Sequence, residues 1–457
     1  MSEEQQKNNA VKDLTEGEPA KLIFYFTLPL LAGNVFQQLF GFVDTLIVGR
    51  FLGVEALAAV GCTGSLMFLM LGFVMGATSG FSIYTGQRFG AKDYAGIRYS
   101  VIVCLVLSVI MSIILAIIGV IYCRELLIFM DTPPEILDGA YSFIVIIYGG
   151  VGGFFLLQMQ TNLIRALGDS KMPTVIQAVT LSINIALEPV AIILLGLGIP
   201  GAAGATIVSL IIGNIICAIY IKKKIPLLHV KKEDWYFDKA VILEHLKIGL
   251  PMGFQSSIIA IGAVVLQIAL NGLGPVAVAS YAAAQRVDGI AVMPMMSFGV
   301  AIAAYTAQNF GAQKFARIHD GVKKTVWMSC TFSFVAAAFN IFFGAEIIKL
   351  FVGEGQEQII QYGQLFLTVN GLAYWALALL FIFRFTLQGL GQALVPTFAG
   401  AVELVMRIVA AIVLVEYWGF LGACLAAPMA WLGAALPLAV AFYITHRRMK
   451  HLYTEDD

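Results

Sequence analysis

The stretch from Ile23 to Leu52, IFYFTLPLLAGNVFQQLFGFVDTLIVGRFL, restricts what this chain can fold into more than any other. About 20 apolar residues at ~1.5 Å rise each cross the hydrocarbon of a bilayer, and this run is long enough. Eleven more follow. Twelve apolar segments are expected, at about 23–50, 55–84, 97–122, 140–165, 174–197, 200–221, 243–271, 276–308, 322–345, 359–388, 394–417 and 420–445. Only 12% of the 457 residues are charged, against roughly 25% in soluble domains. The apolar runs are continuous rather than alternating, which implies helices and excludes a barrel. The expected fold class is all-α, a polytopic membrane protein with 12 transmembrane helices.

Charge sets the expected orientation. With both termini in the cytoplasm, the inner segments hold 22 Lys and Arg, while the outer loops hold only Arg50, Arg124 and Lys349. Positive charge stays inside. The longest inner loop, from Lys222 to Lys239, is basic and polar and forms the natural boundary between two halves. The expected organisation is a cytoplasmic tail at 1–22, a six-helix lobe at 23–221, a linker at 222–242, a second six-helix lobe at 243–445 and a tail at 446–457. A formal net charge of zero gives no reason to expect a nucleic-acid partner. The six cysteines are scattered without a C-x-x-C pair, so they suggest neither a disulfide framework nor a metal site. All five histidines fall in or beside inner loops or the tail, which argues against a histidine proton relay within the membrane.

The halves repeat. TLPLLAG (27–33) matches GLPMGFQ (249–255) at Leu-Pro with an offset of 222. TGQRFGA (85–91) matches TAQNFGA (306–312), RALGDSKMPT (165–174) matches QGLGQALVPT (388–397), and GIPGAAGAT (198–206) matches GFLGACLAA (419–427), at offsets of 221, 223 and 221. Six helices per half is an even number, so the halves insert in the same sense about an axis along the membrane normal. That is a carrier architecture.

A repeat also supplies an internal control, because positions polar in one half alone are candidates for function. Asp44 aligns with Val265 or Leu266, Asn184 with Arg407, Glu188 with Ala411 and Thr206 with Ala427. A carboxylate such as Asp44 costs roughly 2.5–3.5 kcal/mol on insertion, so it faces a partner or a cavity. At ~1.5 Å per residue, Asp44 and Thr206 lie roughly 9 Å and Glu188 roughly 13 Å below the outer side. Asn184 and Glu188, at i and i+4, share a helix face. Two carboxylates, an amide and a hydroxyl suit Na⁺ in kind, or a shared proton. Pro189 has no N–H for the carbonyl of Ile185, so a kink and a further oxygen ligand are expected there. Asn34, Gln37, Gln255 and Arg286 are candidates to line a substrate cavity, with helix–helix bonding as the plain alternative. Glu403 and Arg407, at i and i+4, are expected to neutralise each other.

At these residues the chain resembles the multidrug and toxic compound extrusion family of cation-coupled antiporters. The likeness rests on F-V-D-T-x-x-V-G (42–49), G-Q-x-F-G-A (86–91), R-A-x-G-D-x-x-x-P (165–173), N-x-x-x-E-P (184–189) and A-Q-N-F-G-A (307–312), in order and over nearly the whole chain. The resemblance implies a V-shaped, alternating-access exporter of amphipathic or cationic organic compounds, a monomer in the bacterial inner membrane, in contact with its lipid. It also implies a cation site for Na⁺ or H⁺ at Asp44, Asn184, Glu188 and Thr206, and no further cofactor. Relatives often carry Asp where this chain has Glu188. One branch has acids in segments seven and ten, where this chain has none within 251–271 or 359–388. Three other readings fit the sequence less well. A lipid-linked saccharide flippase shares the plan but wants a cationic cavity, and only Arg286, Arg384 and Arg407 lie within spans. An intramembrane enzyme needs a catalytic dyad or a metal set such as H-E-x-x-H, which the sequence lacks. A membrane sensor usually carries a soluble domain, and no loop here is long enough for one.

Overall fold

The computed structural model describes residues 11–236, 238–353 and 355–453. Residues 1–10 and 454–457 of the two expected tails, Lys7 among them, lie outside the described residues. Every expected apolar segment is helical, and there is no strand among the described residues. The first half comprises α1 (Pro19–Leu52), α2 (Val54–Cys62), α3 (Gly64–Gly90), α4 (Tyr94–Phe129), α5 (Pro134–Gly149), α6 (Val151–Ala166), α7 (Lys171–Pro189) and α8 (Gly198–Lys224). The second comprises α9 (Lys239–Gly272), α10 (Pro275–Gly311), α11 (Phe315–Val352), α12 (Glu357–Gly389), α13 (Leu394–Val409), α14 (Val415–Trp418) and α15 (Phe420–Tyr453). Among the described residues, 11 helices are long and apolar enough to cross a bilayer, and α5 with α6, bent by 46°, makes a twelfth.

The duplication is visible in the backbone. Left-handed residues recur in register: Gly53 with Gly274, Lys92 with Gln313, Asp131 with Gly353, Gly168 with Gly391 and Gly198 with Gly419. A π-helical turn follows α7 at Val190–Leu194, and another follows α13 at Ala410–Leu414. The second has no proline before it. The distortion expected after Pro189 is present as this widened turn, and its recurrence in the second half makes it part of the repeated fold. Gly150, at the α5–α6 bend, packs so closely on Ile207 of α8 that a Cβ there would overlap its side chain. Its counterpart segment, α12, runs unbroken.

The chain forms two compact units whose limits differ from a cut at the 222–242 linker. Unit 1 takes the residues up to Asp13 and Ala32–Gly253; unit 2 takes Leu14–Leu31 and everything from Phe254. The reason is local packing. In unit 2, Ile23, Phe26 and Leu30 of α1 are buried with Phe298, Ala301, Ile302 and Tyr305 of α10. In unit 1, the start of α9 lies backbone to backbone on α3, with the Cα of Gly249 2.5 Å from where a Cβ on Gly80 would sit. Small residues of this kind let helices touch where lipid gives no hydrophobic drive. His245, fully buried beside them, is bonded at Nε2 to Ser100 Oγ (2.8 Å) and at Nδ1 to the Val241 carbonyl (2.8 Å). Both crossings fall two residues after the matched prolines, Pro29 and Pro251.

The 222–242 segment is pinned within unit 1. Arg98 Nε donates to both oxygens of Asp234 at 3.2 and 2.9 Å, and Tyr99 stacks on Tyr236 at 4.1 Å between centroids. The backbone N–H of Lys231 also donates to Asp234, at 2.8 Å.

Candidate cation site and cavity

Three helices of unit 1 bring the expected cation set together. Asp44 projects from the later part of α1, Asn184 and Glu188 from successive turns of α7, and Thr206 from the third turn of α8. The carboxyl groups of Asp44 and Glu188 lie close enough to interact. Asn184 Nδ2 donates to Thr206 Oγ1 at 2.9 Å, and that hydroxyl donates to the Ala202 carbonyl at 3.3 Å. With its amide nitrogen committed, Asn184 keeps Oδ1 as an acceptor. Asp44, Asn184 and Thr206 are half-buried, whereas Glu188 is fully buried.

Glu188 is the unusual member. Apart from the Asp44 carboxyl, neither of its oxygens receives a hydrogen bond from any described group. Two carboxyl groups in contact inside a low-dielectric interior hold a proton or a cation between them, because two bare charges there repel strongly. The donor set is all oxygen, which fits a hard monovalent cation. No group of three or more His, Cys, Asp or Glu gathers among the described residues.

The substrate-cavity candidates separate. Gln37 lines a cavity of ≈ 150 Å³ in unit 1, with Phe36, Met75, Gln158, Thr174 and Gln177. Asn34, half-buried on α1, is not among its lining residues. Gln255 lies in unit 2 and is buried. Its Nε2 donates to the Pro396 carbonyl at 2.7 Å and its Oε1 accepts from Gln388 at 2.9 Å, so it ties α9 to α12 and α13 instead of facing a cavity. Arg286 is exposed on α10, two residues from buried Asp288. Sequence reasoning passed over Gln158 and Gln177, though the repeat could have found them, since they align with apolar residues or glycine. The Asp288 carboxyl accepts from Tyr374 (2.7 Å) and Asn370 (3.1 Å) in unit 2. Glu403 is bonded first to Arg384 of α12 and only then to Arg407, at 3.4 Å.

A sequence profile described as MatE matches residues 29–190 and again 251–413, beginning at the two prolines where the chain changes unit. The chain belongs to the MatE family. Over 379 residues it is 31% identical to YoeA, a probable multidrug resistance protein of Bacillus subtilis (strain 168), covering 81% of each chain. It is 28% identical to a second such protein of that organism, YpnP, over 92% of this chain and 91% of the relative. Among solved structures, an outward-facing multidrug resistance MATE family transporter of the MOP superfamily superposes with a TM-score of 0.88 at 21% identity, covering 97% of this chain and 99% of that one. MatE proteins are membrane transporters, so the enzyme and sensor readings fall away. The two six-helix halves are those of the family fold.

Proposed function

We propose that this MatE protein is a secondary antiporter that exports amphipathic, often cationic organic compounds in exchange for Na⁺ or H⁺. Its coupling centre is the set Asp44, Glu188, Asn184 and Thr206. The observation that carries this reading is Glu188: a fully buried carboxyl against a second carboxyl, with no other donor to satisfy it. A structural carboxylate is normally hydrogen-bonded; one poised to take a cation is not.

Exchange follows from differential affinity. A cation entering from outside neutralises the Asp44–Glu188 pair and favours a different course of α1. That helix leaves unit 2 for unit 1 just after Pro29, whose missing N–H leaves the Tyr25 carbonyl without a helix partner. The cavity wall runs along the same helix through Gln37, so a shift of α1 changes the affinity for substrate, and coupling is the ratio of affinities in the two states. Phe36 and Met75 supply polarisable apolar surface and Gln37, Gln158 and Gln177 supply amides, a lining that tolerates varied amphipathic molecules. Asn34 in unit 1 and Arg286 in unit 2 are kept as separate polar candidates for substrate contact. The multidrug names of the relatives agree with this substrate class.

The charge bias supports a reading with both termini in the cytoplasm, and we take the chain to act as a lipid-embedded monomer of a bacterial inner membrane. A flippase reading is not favoured, since Arg384 and Arg407 share Glu403 and leave too little charge for a pyrophosphate. The test is ethidium export from proteoliposomes under separately imposed Na⁺ and H⁺ gradients. Export driven by one gradient supports the proposal, and export indifferent to both contradicts it.

A further inference from the structure

The internal control that marks the cation set marks a second place. TAQNFGA (306–312) matches TGQRFGA (85–91) at an offset of 221, so Asn309 matches Arg88, Lys314 matches Asp93 and Arg317 matches Gly96. In unit 1 the motif serves its own loop, with Arg88 bonded to the Tyr84 hydroxyl and, at 3.2 Å, to Asp93. In unit 2 it grips another part of the chain, the segment Leu14–Gly17 that leads into α1.

The grip is on backbone groups. Gln308 Oε1 accepts from the Leu14 N–H at 2.8 Å, and Asn309 Nδ2 donates to the Leu14 carbonyl at 3.2 Å. Lys314 Nζ donates to the Thr15 carbonyl at 3.0 Å, and Arg317 Nη2 to the Gly17 carbonyl at 2.9 Å. Arg317 Nε also donates to Asn309 Oδ1 at 3.2 Å. A guanidinium has only donors, so this bond fixes which way the Asn309 amide faces. Gln308 and Asn309 are fully buried, and Leu14 is buried in one core with Ile302, Tyr305 and Ile318. Stranding polar groups at such depth is costly, so these bonds break together or not at all.

Two residues beyond Gly17, α1 begins, and its Ile23, Phe26 and Leu30 enter the same core as Leu14. The helix belongs to unit 2 up to Leu31, whereas Gln37 and Asp44 lie on the part that belongs to unit 1. Pro29 stands just before the change. A helix clamped at one end and interrupted by proline changes course at the interruption. With its end loose, it would answer a push by moving as a whole.

We infer that Gln308 and Asn309, backed by Lys314 and Arg317, are positioning residues of the transport cycle: they hold Leu14–Gly17, and with it the inner part of α1, on unit 2 throughout. Cation binding at Asp44 then changes the course of α1 only beyond Pro29, the part that carries Gln37. None of the four belongs to the cation set or the cavity wall; they act through α1. This inference rests on the antiporter reading above and deepens it.

Ethidium binding to the purified full chain, with and without Na⁺ and at neutral and lowered pH, reads the coupling directly. In wild type the coupling cation should weaken ethidium binding roughly 5- to 150-fold. In Asn309→Leu that factor should fall to about two or less. The cation's own affinity, measured without ethidium, should stay as in wild type, because its site in unit 1 is untouched. A merely structural role would lower Tm and leave the factor alone. A second arm needs no weakened packing. Glu16→Cys with Ala316→Cys places two exposed thiols beside the Gly17–Arg317 bond, and a bis-maleimide joins them. The joined protein should export ethidium from proteoliposomes as fast as the same variant left unjoined, with wild type treated alike as the control for its own cysteines. An unchanged coupling factor in Asn309→Leu overturns the inference. So does a cross-link that stops export, since the segment would then have to leave its place during the cycle. If ethidium binding to wild type responds to neither cation, the antiporter reading fails and the inference falls with it.

Discussion

Replacing Glu188 by glutamine separates coupling from structure. The substitution keeps shape and one carbonyl ligand, removes a charge, and supplies an N–H that can donate to Asp44 across the existing contact. Two unit charges at 4 Å interact by about 4 kcal/mol at an effective dielectric of 20. A cation between the carboxyl groups loses attraction of that order, offset in part by the remaining amide oxygen. Affinity for the coupling cation should therefore fall on the order of 10²- to 10³-fold, with tenfold for each ~1.4 kcal/mol. The folded protein should gain stability, because an unsatisfied buried carboxyl is replaced by a hydrogen-bonded amide, a change of about 1–3 kcal/mol. The assay is isothermal binding of Na⁺, and proton uptake by a pH probe, on purified protein, alongside its melting temperature in the same detergent. Weaker cation binding with a raised or unchanged Tm is expected. A lowered Tm with unchanged cation affinity would show Glu188 to be a structural residue and refute the reasoning.

Other expectations concern the cavity, the packing and the linker. Gln37→Ala should raise the KM for ethidium several-fold while leaving Tm and cation affinity alone, read from gradient-driven export. Gly80→Val places a side chain against the Gly249 backbone and should destabilise by about 1–3 kcal/mol, seen as a lowered Tm. Burial alone would raise the Asp234 carboxyl, but the Lys231 amide and Arg98 outweigh it and hold the group below its ordinary 3.8. A depressed carboxyl stabilises above its unfolded value and loses that contribution as pH falls through the folded one. Protection against hydrogen exchange at residues 230–236, relative to the intrinsic rate at each pH, should therefore stay constant from neutral pH down to about 4 and fall below it, a dependence that Arg98→Ala removes.

The spans could be read from the sequence because hydrocarbon demands long apolar runs, and this demand is local. Helices such as α4 and α11 overrun their expected limits, 97–122 and 322–345, because helical hydrogen bonding continues past the apolar stretch into polar turns. The candidate cation set was legible for a different reason: the duplicated half showed which polar residues the fold does not require. That control uses identity alone. It could not show that Gln255 spends its amide on Pro396 and Gln388, nor that Arg384 reaches Glu403 across 19 residues, since both are contacts between helices. The exchange of α1 and α9 between units was hidden too, because it depends on which glycines meet. The π-turns leave no mark in apolar periodicity; Pro189 marks the place of the first, and nothing comparable marks the second at Ala410–Leu414.

The central claim is that the Asp44–Glu188 pair couples export to an inward cation, and simultaneous flux measurement tests it most directly. Ethidium export and cation entry are followed together in proteoliposomes of wild-type protein and Asp44→Asn, with radioactive Na⁺ and an internal pH probe. Wild type should show substrate leaving as one of the two cations enters, and Asp44→Asn should lose both fluxes while keeping its Tm. Full export with full cation entry in Asp44→Asn would contradict the account.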